Sequence, residues 1–293
     1  MANNLSAFNA QAWSKRLITK LDPICIMLGL VNRDWEGELQ NVGDTVQVRT
    51  PGNILMGPYA KGTTINYQDL QPIKEAMVIA DAEYFAFQVD DLDKAQNDLK
   101  AMDIYTGRAA VALHNTIDIK LTSYFPQAAN HITDAGGVPL VLTKDNVYGV
   151  FVKARTILGK NNVPVEGRWA VVDPDLTGVL LQDTTHFIRS TDMGDTIVKE
   201  GMTQNNGRPG YIGRIAGFDV YESNHVPVDA QGNRTLGFGD PAFISYAAQL
   251  KEMEMLRLQT TFADAVRGLI LHDGHVFAEC AKRGVSLSAA PAS

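Results

Sequence analysis

The 293-residue chain is 45% apolar and 20% charged, and 26 Lys and Arg against 33 Asp and Glu give it a formal charge of −7. That is the composition of a globular protein with room for a substantial core, as one elaborate domain or two subdomains. The acidic balance argues against coating nucleic acid by neutralising phosphates, a mode that needs a basic face, but not against enclosing it.

Residues 1–8 carry neither the basic start nor the apolar run of a secretory signal, and no stretch of 18 apolar residues could span a bilayer, so no membrane partner is expected. Cys25 and Cys280 lie far apart without CxxC spacing and are expected to be buried packing thiols. Residues 1–40 read as an N-terminal arm. Ala12, Trp13, Leu17, Ile18 and Leu21 give one or two helical turns, Pro23 breaks the run, and the rest reads as extended.

Residues 41–89 read as an excursion from the core. A short strand at 45–49 leads into roughly 30 residues of Gly- and Pro-punctuated connection, far beyond the usual loop, before a returning strand at 84–89. The connection carries Ile54, Leu55, Met56, Tyr59, Ile65, Tyr67 and Leu70, so it needs something to pack against. A lone hairpin is marginal in water, and a second copy of the chain is the economical cover.

From Asp93 to about Tyr124, apolar residues at Ala95, Leu99, Met102, Tyr105, Ala109, Leu113, Ile117, Leu121 and Tyr124 recur in steps of three and four, predicting one long amphipathic helix. Asp90, Asp91 and Asp93 suit its N-terminal end, Pro126 ends it, and Gly107 is a defect costing about 1 kcal/mol. A second helix is predicted over 146–158 with Gly159 as its C-cap. A buried strand follows at 169–172, and Asp173-Pro174 caps and opens a helix through Gln182, making a mixed α/β unit. Polar loops at 183–213 and 228–234 flank a strand at 218–221. Met253, Met255, Leu256 and Leu258 predict a long strand with a bulge. Residues 267–271 and 276–277 read as two strands around a turn at His272-Asp-Gly-His275, and 286–293 as an Ala/Ser/Pro tail.

No enzyme chemistry stands out. His272 and His275 could begin a metal site, but no third ligand is near in sequence and turn chemistry explains the motif. Asp173 and Asp175 are used by the helix start, and Gly207, Gly210 and Gly213 precede a strand where a phosphate site needs a helix. GxGxxG, Walker, GxSxG and HExxH motifs are missing, and His114, His131, His186 and His225 show no nucleophile spacing. No catalytic residue, cofactor or metal is expected.

An ordered series of segments carries a resemblance. Leu30-Val-Asn-Arg-Asp-Trp-Glu-Gly-Glu38, Asn41-Val-Gly-Asp-Thr-Val-Gln-Val48, Lys61-Gly-Thr-Thr-Ile-Asn-Tyr-Gln68 and Tyr84-Phe-Ala-Phe-Gln-Val-Asp-Asp-Leu-Asp-Lys-Ala-Gln96 are followed by Arg108-Ala-Ala-Val-Ala-Leu113, Trp169-Ala-Val-Val-Asp-Pro174, Ile215-Ala-Gly-Phe-Asp-Val-Tyr-Glu-Ser-Asn224, Leu256-Arg-Leu258 and Phe262-Ala-Asp-Ala-Val-Arg-Gly268. Together they resemble tailed-bacteriophage major capsid proteins of the Hong Kong ninety-seven type.

The resemblance implies an α+β fold: an arm over 1–40, an extended hairpin loop over 41–89, a peripheral domain of 90–142 and 246–293 with a spine helix at 93–125, and a mixed α/β axial domain over 143–245. It implies a shell protein of the virion, assembled in the host cytoplasm as hexamers and pentamers around double-stranded DNA without sequence-specific binding. A portal, a separate scaffolding protein and a decoration protein are the other implied partners. Arg49, Tyr59, Lys61, Tyr67, Lys74 and Glu75 are the candidate intersubunit contacts, against the plainer reading of solvated surface charge worth ~0–1 kcal/mol for each charged residue. An encapsulin-like compartment and a cytosolic enzyme with a loop lid are the alternatives.

Overall fold

The computed structural model describes residues 25–35, 45–50, 56, 67, 73–90, 101–134, 136–182, 209–258 and 263–290. Within them the strands are β1 (Thr45–Thr50), β2 (Ile73–Val78), β3 (Asp81–Asp90), β4 (Asn130–Ile132), β5 (Trp169–Val172), β6 (Tyr211–Ile215), β7 (Phe218–Glu222), β8 (Arg234–Gly239), β9 (Ser245–Arg257), β10 (Ala263–His275) and β11 (Val285–Ala289). The helices are α1 (Ala101–Thr122), α2 (Val147–Lys160) and α3 (Pro174–Gln182).

Three sheets organise these elements. β1 and β2 form an antiparallel ribbon, β3-β10-β9 a three-stranded antiparallel sheet, and β4-β11-β8-β5-β7-β6 a mixed sheet. In the mixed sheet, alternation along β8 sends neighbouring residues to opposite faces. Phe238 packs at 5.3 Å on Phe151 of α2, and Gly237 lies under Phe125, just past the end of α1. Phe125 in turn sits 5.9 Å from Trp169, which is 6.3 Å from Phe243. Aromatic groups therefore fill both sides of the sheet, and all of these rings are fully buried.

The 169–182 segment folds as the sequence predicts. β5 is buried along its whole length, and Asp173 Oδ1 accepts a hydrogen bond from Leu176 N at 3.2 Å, capping α3. The second helix also forms, but Gly159 lies inside it. The chain turns out only at Asn161 and Asn162, the latter at φ 57°, where asparagine tolerates the left-handed region. α1 buries Ala110, Leu113, Ile117, Asp118, Leu121 and Thr122, while Tyr105 is exposed; of the proposed acidic helix end, Asp91 and Asp93 lie outside the described residues, and Asp90 instead ends β3, paired with Ala263.

Four expectations are corrected. The strand returning from the excursion is β2 at 73–78, whereas 84–89 belongs to β3 and pairs with β10. His272-Asp-Gly-His275 is no turn: β10 runs unbroken through it, pairing His272 with Ala248 and Gly274 with Tyr246. Glycine is needed there because a Cβ at 274 would lie 2.7 Å from the Tyr124 ring. The supposed tail contains β11, paired with both β4 and β8 and buried at Val285 and Leu287, so this sheet draws strands from outside 143–245. Residues 25–31 are no extended arm either, since Cys25, Met27, Leu28, Leu30 and Val31 are buried around a 3-10 turn at Met27–Gly29. The bulge in β9 is present: Leu269 pairs with Glu252 and Ile270 with Leu250, leaving Lys251 as the extra residue.

The packing of Phe125 gives a direct test. A Cβ on Gly237 would lie 2.7 Å from that ring, so Gly237→Val should destabilise the unassembled chain by about 1–3 kcal/mol through overpacking. Urea unfolding measures this, and an unchanged midpoint would contradict the arrangement.

Candidate assembly surface

The β1–β2 ribbon has a fixed root. Met77 and Ile79 are buried with Ala247, Leu271 and Phe277 in a small apolar cluster of their own, against which Trp35, Leu269 and Cys280 pack. Burying a Met or Ile side chain contributes roughly 1.5–3 kcal/mol, and Glu75 Oε2 adds a hydrogen bond from Ala278 N at 2.9 Å. In the connection between β1 and β2, Met56 is 98% and Tyr67 94% exposed.

The candidate contact residues are placed unevenly. Arg49 and Lys74 stand opposite each other in the ribbon register, beside Val48 and Glu75. Tyr67 is exposed on the excursion, and Glu75 works at the root. Tyr59 and Lys61 lie outside the described residues.

A second surface was not legible in the sequence. Along β3, Asp81, Glu83, Phe85 and Phe87 are partly covered while Ala82, Tyr84, Ala86 and Gln88 are exposed, a strict one-sided alternation. Tyr84, 79% exposed, borders an open depression of about 520 Å³ lined also by Ala86, Glu254, Arg267, Gly268 and Leu269. Arg267 Nε donates to Glu254 Oε2 at 2.9 Å across its floor. A strand pattern could have located this face, but only pairing with β10 shows what lies beside Tyr84.

The elements carrying these surfaces meet at one carboxylate. Asp273 Oδ1 accepts from the Tyr124 hydroxyl at 2.8 Å and from Gly274 N at 2.8 Å, and its Oδ2 accepts from Ala80 N at 3.1 Å. Lys120 Nζ lies 3.4 Å from Oδ1 and 2.5 Å from Asp81 Oδ2. Burial pushes the Asp273 carboxyl up, but the donors from Tyr124, Gly274 and Ala80 and the Lys120 ammonium outweigh it and hold it below the usual range. Burial and the hydrogen bond to Asp273 push Tyr124 up to about 12. For Lys120 burial acts downward, yet the Asp81 hydrogen bond and nearby negative charges raise it well above its ordinary value. Nothing in the sequence signals that an Asp-Gly pair inside a strand would anchor a helix.

Residues 74–278 match the family model described as phage capsid protein. The chain belongs to the phage capsid protein family. Its role is thus structural: it is a major capsid protein that associates with itself to make the virion shell. Solved structures share the fold. A structure from Mycobacterium phage Che8 is similar at a TM-score of 0.66 and 23% identity, over 90% of each chain. The capsid of cyanophage P-SCSP1u is similar at a TM-score of 0.67 and 18% identity, over 89% of this chain and 86% of that one. A virus-like particle from Pyrococcus furiosus is similar at a TM-score of 0.58 and 11% identity, over 97% of this chain and 100% of that one. Comparison with curated proteins gives no match. No helix among the described residues is long and apolar enough to cross a membrane.

The capsid protein's Asp273 joint has a definite pH signature. A carboxyl depressed in the folded state contributes stability that is present above its unfolded pKa of about 3.9 and is lost as pH falls through the lower folded value. Asp273→Asn should cost about 1.5–3 kcal/mol at pH 7, the range for hydrogen bonds to a charged group. It should also flatten the acid limb below about pH 4. Urea midpoints of the unassembled chain between pH 3 and 7 read both effects, and parallel profiles for the two proteins would refute the assignment.

Proposed function

We propose that the chain builds an icosahedral shell of hexamers and pentamers around phage double-stranded DNA, each subunit laying its β1–β2 ribbon across a neighbour. The observation that carries this reading is a contrast: Met77 and Ile79 at the ribbon's root are buried in a small apolar cluster, while Met56 and Tyr67 in the connection between its strands are exposed. Contacts drawn from Arg49, Tyr59, Lys61, Tyr67, Lys74 and Glu75 would be individually modest, and repetition around a closed shell supplies the cohesion. The three-stranded sheet with α1 serves as the peripheral domain. The mixed sheet with α2 and α3 serves as the axial one, taking in 130–132 and 285–289.

The same reading makes the protein a wall with no catalytic or cofactor role. A formal charge of −7 suits a wall that encloses DNA without gripping it. A DNA-filled shell needs a distinct entry vertex and outside control of its size, so a portal and a separate scaffolding protein are the proposed assembly partners, with a decoration protein as an optional addition. A cellular protein compartment is the second reading, supported by the full-length likeness to the virus-like particle from Pyrococcus furiosus. The match to the phage capsid protein family favours the first. Particles filled with DNA and bearing one unique vertex would decide for it, and particles filled with a single enzyme would decide against it.

Deleting residues 52–62 should leave a soluble chain with an unaltered circular dichroism spectrum, because the root and both larger sheets remain. Shell closure should be abolished, read by negative-stain microscopy and sedimentation. Normal particles from the deletion would sink the ribbon's proposed role.

A further inference from the structure

Where residues 25–31 meet α1, three ligand-type side chains converge. Cys25, His114 and Asp118 each offer one ligand atom, and these atoms lie within 4.8 Å of one another. Cys25 and Asp118 are buried, the latter completely. Asp118 Oδ1 accepts from Met27 N at 3.1 Å and its Oδ2 from Ile26 N at 3.5 Å, so the carboxylate is already fixed in place. His114 Nδ1 lies 3.0 Å from Asn115 Oδ1, and His225 Nε2 lies 3.1 Å from that same oxygen. An amide oxygen only accepts, so both rings present N–H groups to it and a neutral His114 carries its lone pair on Nε2. That Nε2 is buried without an aligned hydrogen bond, although Asp118 Oδ2 stands 2.8 Å away. A lone pair set against a carboxylate at that distance calls for a positive charge, a proton or a metal ion.

We propose that Cys25 Sγ, His114 Nε2 and an Asp118 oxygen form a zinc-class cation site that ties the N-terminal segment to α1. Thiolate, imidazole and carboxylate are the ligand types of zinc, with three protein ligands leaving a fourth position for water. Thiolate and imidazole together select zinc-class ions over magnesium or calcium. Binding displaces the Cys25 thiol proton to solvent, so the thiolate and the Asp118 carboxylate balance the divalent charge. Asn115 acts as a positioning residue: by accepting from Nδ1–H it fixes the tautomer and ring orientation that aim Nε2 at the cluster. The consequence for the shell protein is mechanical, because the ion ties residues 25–31 to α1.

The test uses the full chain, stripped with chelator and dialysed against Co²⁺ or Zn²⁺. One ion per chain is expected, with the near-ultraviolet charge-transfer band of a cobalt thiolate. That band should disappear in Cys25→Ser and persist in Cys280→Ser. Asn115→Ala should weaken Zn²⁺ binding roughly 10–100-fold, the usual effect of losing an outer-sphere partner. Absence of the band in the unmutated chain would overturn the proposal without recourse to any variant, leaving a protonated His114 paired with Asp118. Persistence of the band in Cys25→Ser would overturn it equally.

Discussion

A carboxylate taken out of water persists only where donors replace its hydration, and Asp273 draws those donors from the parts of the subunit that must stay in register. Tyr124 and Lys120 come from α1 and its end, Ala80 from the corner between β2 and β3, and Gly274 from β10 itself. The helix, the base of the ribbon and the three-stranded sheet are therefore fixed at one buried point. Apolar packing alone would let these elements slide, since burial has no preferred direction. Three directed hydrogen bonds and an ammonium leave the carboxylate a single satisfied geometry.

This joint explains why β10 tolerates an Asp-Gly pair in mid-strand. Asp273 is held by its partners, and Gly274 makes room for the same Tyr124 ring that donates to it. The pair thus does two jobs for one aromatic side chain. The Asp118 cluster repeats the logic one step back along the same helix, just before Lys120, with a carboxylate accepting from Ile26 N and Met27 N to hold residues 25–31. One anchor sits on α1 and the other accepts from Tyr124, just past its end, which makes that helix the reference to which residues 25–31 and the sheet are aligned.

The sequence was legible wherever local physics and tertiary need coincide. At 169–182, a run of buried β-formers followed by Asp-Pro leaves one reading, and the structure has it. The steps of three and four along α1 likewise placed Leu113, Ile117 and Leu121 in the core. Errors fell where long-range contact overrides local preference. Asp-Gly reads as a turn until Tyr124 arrives from about 150 positions away in the chain, a separation at which no local signal operates. β11, rich in Ser and Ala, looks like a tail because its burial comes from β4 and β8. β8 hides behind its glycines, one of which exists to seat Phe125. Of the proposed contact surface, composition marks the excursion, and Met56 and Tyr67 within it are exposed. The Tyr84 depression was not visible, since it is made by the pairing of strands distant in sequence.

The ribbon is where stability and assembly become the same problem. Two strands have two open edges, and an isolated pair is marginal in water. Burial of Met77 and Ile79 secures only the half nearest the body. If the ribbon lies across a neighbour as proposed, Met56 and Tyr67, exposed on this subunit, gain their apolar contacts from that neighbour. A ribbon stable on its own would need a hydrophobic face covered from within, and it would then have nothing left to offer a neighbour. Under the proposed assembly, a fixed root with Met56 and Tyr67 left exposed would direct self-association through the ribbon instead of through arbitrary sheet edges.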